Sequence, residues 1–151
     1  MLKYIIDGNN IIGKIQHLSS LQKKDKQASR EKLAFMVEDY FYDKKIKVSL
    51  HFDGYGNLPI KTSKIKIYYS ESKIADVKIK NEIELAKNRK NLVVVTSDNN
   101  IREFAKVCGC QVKSSKEFVD QITNKDNDDE EKRRIDSMND TEFFKKLFKA
   151  K

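Results

Sequence analysis

Three short apolar runs in this chain each lead into an aspartate. Tyr4-Ile5-Ile6 ends on Asp7, the run that closes with Leu50-His51-Phe52 ends on Asp53, and Leu92-Val93-Val94-Val95 is followed by Thr96-Ser97-Asp98. A buried strand has no use for a carboxylate in its interior, so each acid belongs at the open end of its strand. Leu92 to Val95 carries no polar residue at all, the mark of a strand covered on both faces. Between these runs the apolar spacing changes to a helical period. Strands alternating with helices specify an α/β domain with a mostly parallel sheet.

The periodicity predicts strands over 2–6, 46–52, 65–69, 92–95 and 111–113. It predicts helices over 29–43, with Leu33, Val37, Tyr40 and Phe41 on one face, over 72–88, with Ile74, Ile79, Ile83 and Ala86, and over 99–108, ended by Gly109. Ser114-Ser115-Lys116-Glu117 has the form of a capping box and opens a last helix. The 65–69 run alternates with lysines, as a half-exposed edge strand does. The link before it is short for a parallel crossover, which leaves that strand's direction open. Residues 1–123 read as one domain, 124–139 as a charged linker, and 140–151 as an amphipathic helix with Phe143, Phe144, Leu147 and Phe148 on one side. That helix either docks back on the domain or serves a partner surface.

In an open parallel sheet, ligands bind beyond the carboxyl ends of the strands. Asp7, Asp53 and Asp98 fall at that edge, and Asp76 falls in the first turn of the helix after the third strand. Singly, each has a structural reading: Asp53 in the glycine turn, Asp76 at a helix N-terminus, Asp98 as an N-cap. Together, four carboxylates repel unless a cation neutralises them, and oxygen-only ligands select Mg²⁺ or Mn²⁺ over zinc. The chain carries a formal net charge of +8, with 23 Lys and Arg against 15 Asp and Glu in residues 1–120 and eight of each beyond. A basic folded part beside an acidic cluster favours a polyanionic partner, nucleic acid first, although a generally Lys-rich proteome gives the same balance. Lys14 and Lys80, with Lys23, Lys24 and Lys26 in a loop before the first long helix, are the candidate phosphate contacts.

The segments Asp7–Ile12 (DGNNII), His51–Gly54 (HFDG), Glu71–Ile79 (ESKIADVKI) and Val94–Ile101 (VVTSDNNI) resemble the NYN branch of the PIN-like ribonucleases, YacP-like bacterial proteins in particular. Val112–Phe118 resembles the segment that closes that domain. The resemblance covers residues 2–123 and implies a PIN-like three-layer α/β/α fold with a mostly parallel sheet of about five strands. It implies an Mg²⁺- or Mn²⁺-dependent endoribonuclease in RNA decay or processing, and some family members act on messenger RNA at the ribosome. By matching position, Asp7, Asp53, Asp76 and Asp98 form the catalytic site, with Asp7, Asp76 and Asp98 as metal ligands. The resemblance further implies that Asn10 orients Asp7 or a water and that Thr96 and Ser97 hold the Asp98 loop and reach phosphate; with Lys14, Lys80 and Asn99 they are the candidate substrate contacts. YacP-like sequences often carry an acid where this chain has Lys80, four residues after Asp76, so Lys80 either pairs with Asp76, at the expense of metal binding, or supplies a phosphate contact.

A phospho-receiver domain needs two adjacent acids after its first strand, and Asp7 is followed by Gly8-Asn9-Asn10; a haloacid-dehalogenase-type phosphatase needs D-x-D. The competing reading is a non-catalytic RNA-binding module with a degenerate site. His17 in a loop and His51 in a strand read as surface or core residues, and Cys108 and Cys110 as small core residues rather than a zinc site. Tyr55, in a loop, either stacks on a base or is half-buried. The absence of a leader, of a membrane-length apolar run and of a cysteine framework point to a cytoplasmic protein without a membrane partner. No nucleotide cofactor is expected, and the oligomeric state is open.

Overall fold

The computed structural model describes residues 1–56, 58–73 and 75–123. The chain divides into two compact units, Met1–Val119 and Asp120–Lys151. Of the second, residues 120–123 are described and are helical. The linker expected over 124–139 and the helix expected over 140–151 lie outside the described residues.

Five strands form one sheet: β1 (Lys3–Asp7), β2 (Lys47–Phe52), β3 (Lys66–Tyr69), β4 (Leu92–Val95) and β5 (Gln111–Lys113). Their order is β3-β2-β1-β4-β5, and every neighbouring pair is parallel. The apolar runs occupy the three central strands, and the lysine-alternating β3 is an edge, as its pattern predicts. Its direction, open from sequence, is parallel. The link over 53–65 makes that crossover without a described helix, and Glu38 holds its end. The Glu38 carboxylate accepts from the backbone N–H groups of Ser63, Lys64 and Ile65 at 2.8, 2.9 and 3.0 Å.

Helices cover both faces. On one, Ile79 and Ile83 of α4 (Ala75–Leu85) and Ile101 and Ala105 of α5 (Asn99–Val107) pack with Ile5, Leu92 and Val94. On the other, Tyr4 meets Phe41 with ring centroids 4.9 Å apart, and Phe41 stacks on Phe118. Each fully buried Ile, Leu or Phe contributes about 1.5–3 kcal/mol.

The segment between β1 and β2 departs from the sequence reading. It holds three helices, α1 (Gly8–Lys14), α2 (Gln16–Lys24) and α3 (Lys26–Phe41), where periodicity shows one. The first two are short. Leu18 is the one buried residue of α2, so a window of helical spacing had little to register. Lys23 and Lys24 therefore stand in the last turn of α2 and Lys26 opens α3, rather than all three lying in a loop, and His17 is also helical. The boundary between α2 and α3 is Asp25, whose side chain accepts from Ala28 N at 3.0 Å.

Candidate active site

Asp7 ends β1, in register with His51 of β2, and is 6 % exposed. The chain turns there directly into α1. Gly8 makes the turn possible: a Cβ on it would come within 2.7 Å of the His51 carbonyl oxygen and of the Phe52 ring. The Thr96 hydroxyl donates to Asp7 Oδ2 at 2.9 Å. The Asn10 amide approaches the carboxylate without completing a capping hydrogen bond. Burial pushes the Asp7 carboxyl from 3.8 to about 6. The Thr96 hydroxyl and the Asn10 N–H oppose the rise, and the charges of Asp53 and Asp98 add to it.

The two asparagines tie three strand ends together. Asn9 Oδ1 accepts from Asp53 N at 2.8 Å, joining the ends of β1 and β2. Asn10 Oδ1 accepts from Ser97 N at 3.0 Å and from Ser115 Oγ at 3.3 Å, joining β1 to the segment after β4 and to the last helix. Thr96 works in both directions. While donating to Asp7, its oxygen accepts from Asp98 N at 3.0 Å. Thr96 Oγ1 thus links the Asp7 carboxylate to the Asp98 backbone. Asn10 holds Ser97 rather than the Asp7 carboxylate by its side chain.

The other acids keep their structural roles at the same edge. Asp53 Oδ1 accepts from Ala75 N at 2.6 Å and so caps α4 from another strand. Asp98 Oδ1 accepts from Ile101 N at 3.2 Å as the N-cap of α5. Asp76, in the first turn of α4, has a buried Oδ1 with no hydrogen-bond partner. The structure thus brings Asp7 within electrostatic reach of Asp53 and Asp98. Among the described residues, no three His, Cys, Asp or Glu side chains are grouped to hold a metal, so the expected trio of Asp7, Asp76 and Asp98 does not form a ready-made cage.

The Asp76–Lys80 ion pair does not form. Lys80 Nζ instead lies 5.7 Å from the centroid of the Phe104 ring on α5. An i,i+4 pair is worth only a few tenths of a kcal/mol, and an aromatic face on the neighbouring helix competes on equal terms. Lys14 is exposed at the end of α1, Asn99 is exposed in the first turn of α5, and Ser97 is half-buried.

Arg30 was not singled out from sequence, although it falls one turn before Leu33 on the apolar face of α3. It is 2 % exposed, donates to the carbonyls of Asp53 and Tyr55, and lies 5.3 Å from the centroids of the Phe52 and Tyr69 rings. Burial lowers its pKa, against the charges of Tyr69 and Asp53. A second polar cluster, also missed, lies where α4 covers the sheet. Glu82 accepts from Ser49 Oγ and from Lys3 Nζ, both at 2.7 Å, and meets His51 Nε2 at 2.8 Å. Burial acts to raise the Glu82 carboxyl, but the hydrogen bonds from His51, Lys3 and Ser49, with the charge of His51, carry it down to about 2.

A model of the YacP-like NYN domain matches residues 4–151 of the chain. The crystal structure of Rae1 (YacP) from Bacillus subtilis superposes with a TM-score of 0.74 at 20 % identity, covering 99 % of this chain and 88 % of that one. A point mutant of the same Bacillus subtilis protein gives 0.74 at 22 % identity, over 89 % of this chain and 83 % of that one. At these identities the likeness shows the fold. No curated protein sequence matches the chain.

Proposed function

Because this chain belongs to the YacP-like NYN domain family, a PIN-like nuclease family, we propose that it is a metal-dependent endoribonuclease that hydrolyses RNA phosphodiester bonds at the carboxyl edge of its sheet. The observation that carries this reading is Asp7. A carboxylate buried at the strand ends and pushed up to about 6 beside two further acids, despite the Thr96 hydroxyl and the Asn10 N–H, is negative charge only partly compensated. Such a site is stabilised by a cation.

The donor chemistry fits Mg²⁺ or Mn²⁺. Every candidate ligand is a carboxylate oxygen, and Asp76 offers a buried one without a partner. Mg²⁺ is usually held by one or two carboxylates, with water and substrate phosphate completing its shell, so a three-carboxylate cage is not required. When bound, the ion supplies Lewis-acid polarisation of the phosphate. Asp7 Oδ1, and the oxygens of Asp53 and Asp98 that their helix caps leave over, are the available donors. Thr96 fixes the Asp7 carboxylate and the Asp98 backbone together, so that both present one geometry.

Substrate is held by charge. Arg30 bonds to Asp53 and Tyr55, and Gln27 Nε2 donates to Leu58 O at 3.0 Å, so the first turns of α3 stand at the same edge as the acids. Lys26 and, at the end of α2, Lys23 and Lys24 are exposed and would meet phosphates. Lys14, Lys80, Ser97, Asn99 and Asn10 complete the proposed substrate surface. A role in RNA decay or processing in the cytoplasm, with the ribosome as a candidate partner, follows from the family resemblance. Among the described residues no helix is long and apolar enough to cross a membrane.

That no three metal-ligating side chains are grouped among the described residues favours the second reading, an RNA-binding module with a degenerate site. Cleavage of mixed single-stranded RNAs separates the two. The enzyme cuts internally with Mg²⁺ or Mn²⁺, stops in EDTA, and is inactive as Asp7→Asn. Binding without metal-dependent cleavage would establish the module instead.

A further inference from the structure

We propose that Tyr55 is a fixed stacking platform for a nucleobase of single-stranded RNA next to the acidic edge, a substrate subsite that rests on the ribonuclease reading. Tyr55 is 62 % exposed and lies two residues after Asp53. Other exposed aromatic rings among the described residues stand elsewhere. Phe35 lies within α3, Tyr42 follows its end and precedes β2 at the opposite edge of the sheet, and the Tyr68 ring stacks on His51.

The backbone leading into Tyr55, and its carbonyl, are held by hydrogen bonds. Buried Arg30 donates to the carbonyls of both Asp53 and Tyr55, the second at 2.8 Å. Gly54 donates to Ser70 Oγ at 2.9 Å and accepts from Glu71 N at 2.8 Å. The two neighbours of Tyr55 are glycines by necessity. Gly54 has φ +82, where side chains are strained, and a Cβ on Gly56 would come within 2.6 Å of the Tyr69 ring. Bonds that hold the backbone at Asp53, Gly54 and Tyr55 while leaving the Tyr55 side chain in water do not serve the core. They present a ring whose position costs little further ordering when a base arrives. Stacking tolerates any base, because each has a π-face, and purines offer the larger one. The same guanidinium that fixes Tyr55 fixes Asp53, so the stacked base and the neighbouring phosphate would be held in one register.

The test is binding of short fluorescein-labelled oligo(A) and oligo(U), by anisotropy in EDTA, so that cleavage plays no part. Tyr55→Ala should weaken oligo(A) binding about tenfold, or about 1.4 kcal/mol, while Tyr55→Phe stays within about twofold. The fold-loss should be the same at low and high salt, unlike that of a phosphate-binding lysine. Tyr42→Ala should bind as the wild type does. The chain has no tryptophan, so Tyr55→Trp adds a lone fluorophore whose emission should change on saturation with oligo(A). Wild-type affinity in Tyr55→Ala, or Trp emission unaltered at saturation, overturns the platform and leaves the ribonuclease reading standing. A wild-type protein that binds neither oligonucleotide also overturns the platform, and metal-dependent cleavage then judges the ribonuclease reading by itself.

Discussion

Two carboxylates in this protein are largely removed from water and titrate in opposite directions. Burial raises Asp7 to about 6, whereas Glu82 falls to about 2. Burial is the largest single influence on each. The difference lies in the partners. Glu82 has a lysine, a histidine and a hydroxyl on its two oxygens, while Asp7 has one hydroxyl, an imperfectly placed amide and two like charges nearby. Glu82 is satisfied by the fold and holds α4 to the sheet. Asp7 is left in deficit by the fold, and a deficit kept at a strand end is what a ligand-binding site requires.

The largest separation between the two should come from removing their charges. Asp7→Asn should lower RNA cleavage by roughly three orders of magnitude, about 4 kcal/mol of transition-state stabilisation. In EDTA at pH 7.5 the same change should stabilise the fold by up to about 3 kcal/mol, because the cost of ionising Asp7 disappears. Glu82→Gln should do the reverse. It leaves Lys3 and His51 without their anion and should destabilise by about 3 kcal/mol, with kcat per folded molecule unchanged. Denaturant melts and single-turnover rates on both variants read the comparison directly. A Glu82→Gln protein of normal stability would break it.

The pH dependence of stability in EDTA carries the same opposition. The folded value of Asp7 lies above its ordinary 3.8, so its cost is absent below pH 3.8, grows as pH rises, and is complete above about 6. The folded value of Glu82 lies below 4.5, so its contribution is present above pH 4.5 and is lost as pH falls towards 2. Stability should therefore peak near pH 4–5 and fall on both sides, by about 3 kcal/mol each way at most. Asp7→Asn should flatten the upper side alone.

A smaller effect sharpens the account of Asp7. Thr96→Val removes its hydroxyl donor and the acceptor for Asp98 N. The loss should cost about 1–2 kcal/mol of stability and move the acidic limb of the pH–rate profile upward. A profile that stays in place would show that Thr96 does not govern the Asp7 carboxyl.

The two regions were also unequally legible in the sequence. Asp7, Asp53 and Asp98 could be placed because each follows an apolar run, and strand ends in a parallel sheet share one edge. Their caps were foreseen for Asp98, while the bond from Asp53 to the start of α4 crosses from one element to another and leaves no local trace. The roles of Asn9 and Asn10 leave no local trace for the same reason, since their partners, Asp53 and Ser97, are distant in the chain. Glu82 read as an ordinary helix acid. The sheet register that sets Lys3 on β1 and Ser49 and His51 on β2 beneath α4 gives it partners. The short helices α1 and α2 escaped because seven and nine residues with few buried positions carry too little periodicity.

The most direct test of the contrast is a carbon-detected NMR titration that resolves the side-chain carboxyls of Asp7 and Glu82, in EDTA and then with Mg²⁺. The account predicts that Asp7 titrates near 6 and Glu82 near 2, and that Mg²⁺ lowers Asp7 while leaving Glu82 in place. An Asp7 that titrates near its ordinary 3.8, or that Mg²⁺ does not move, would contradict it.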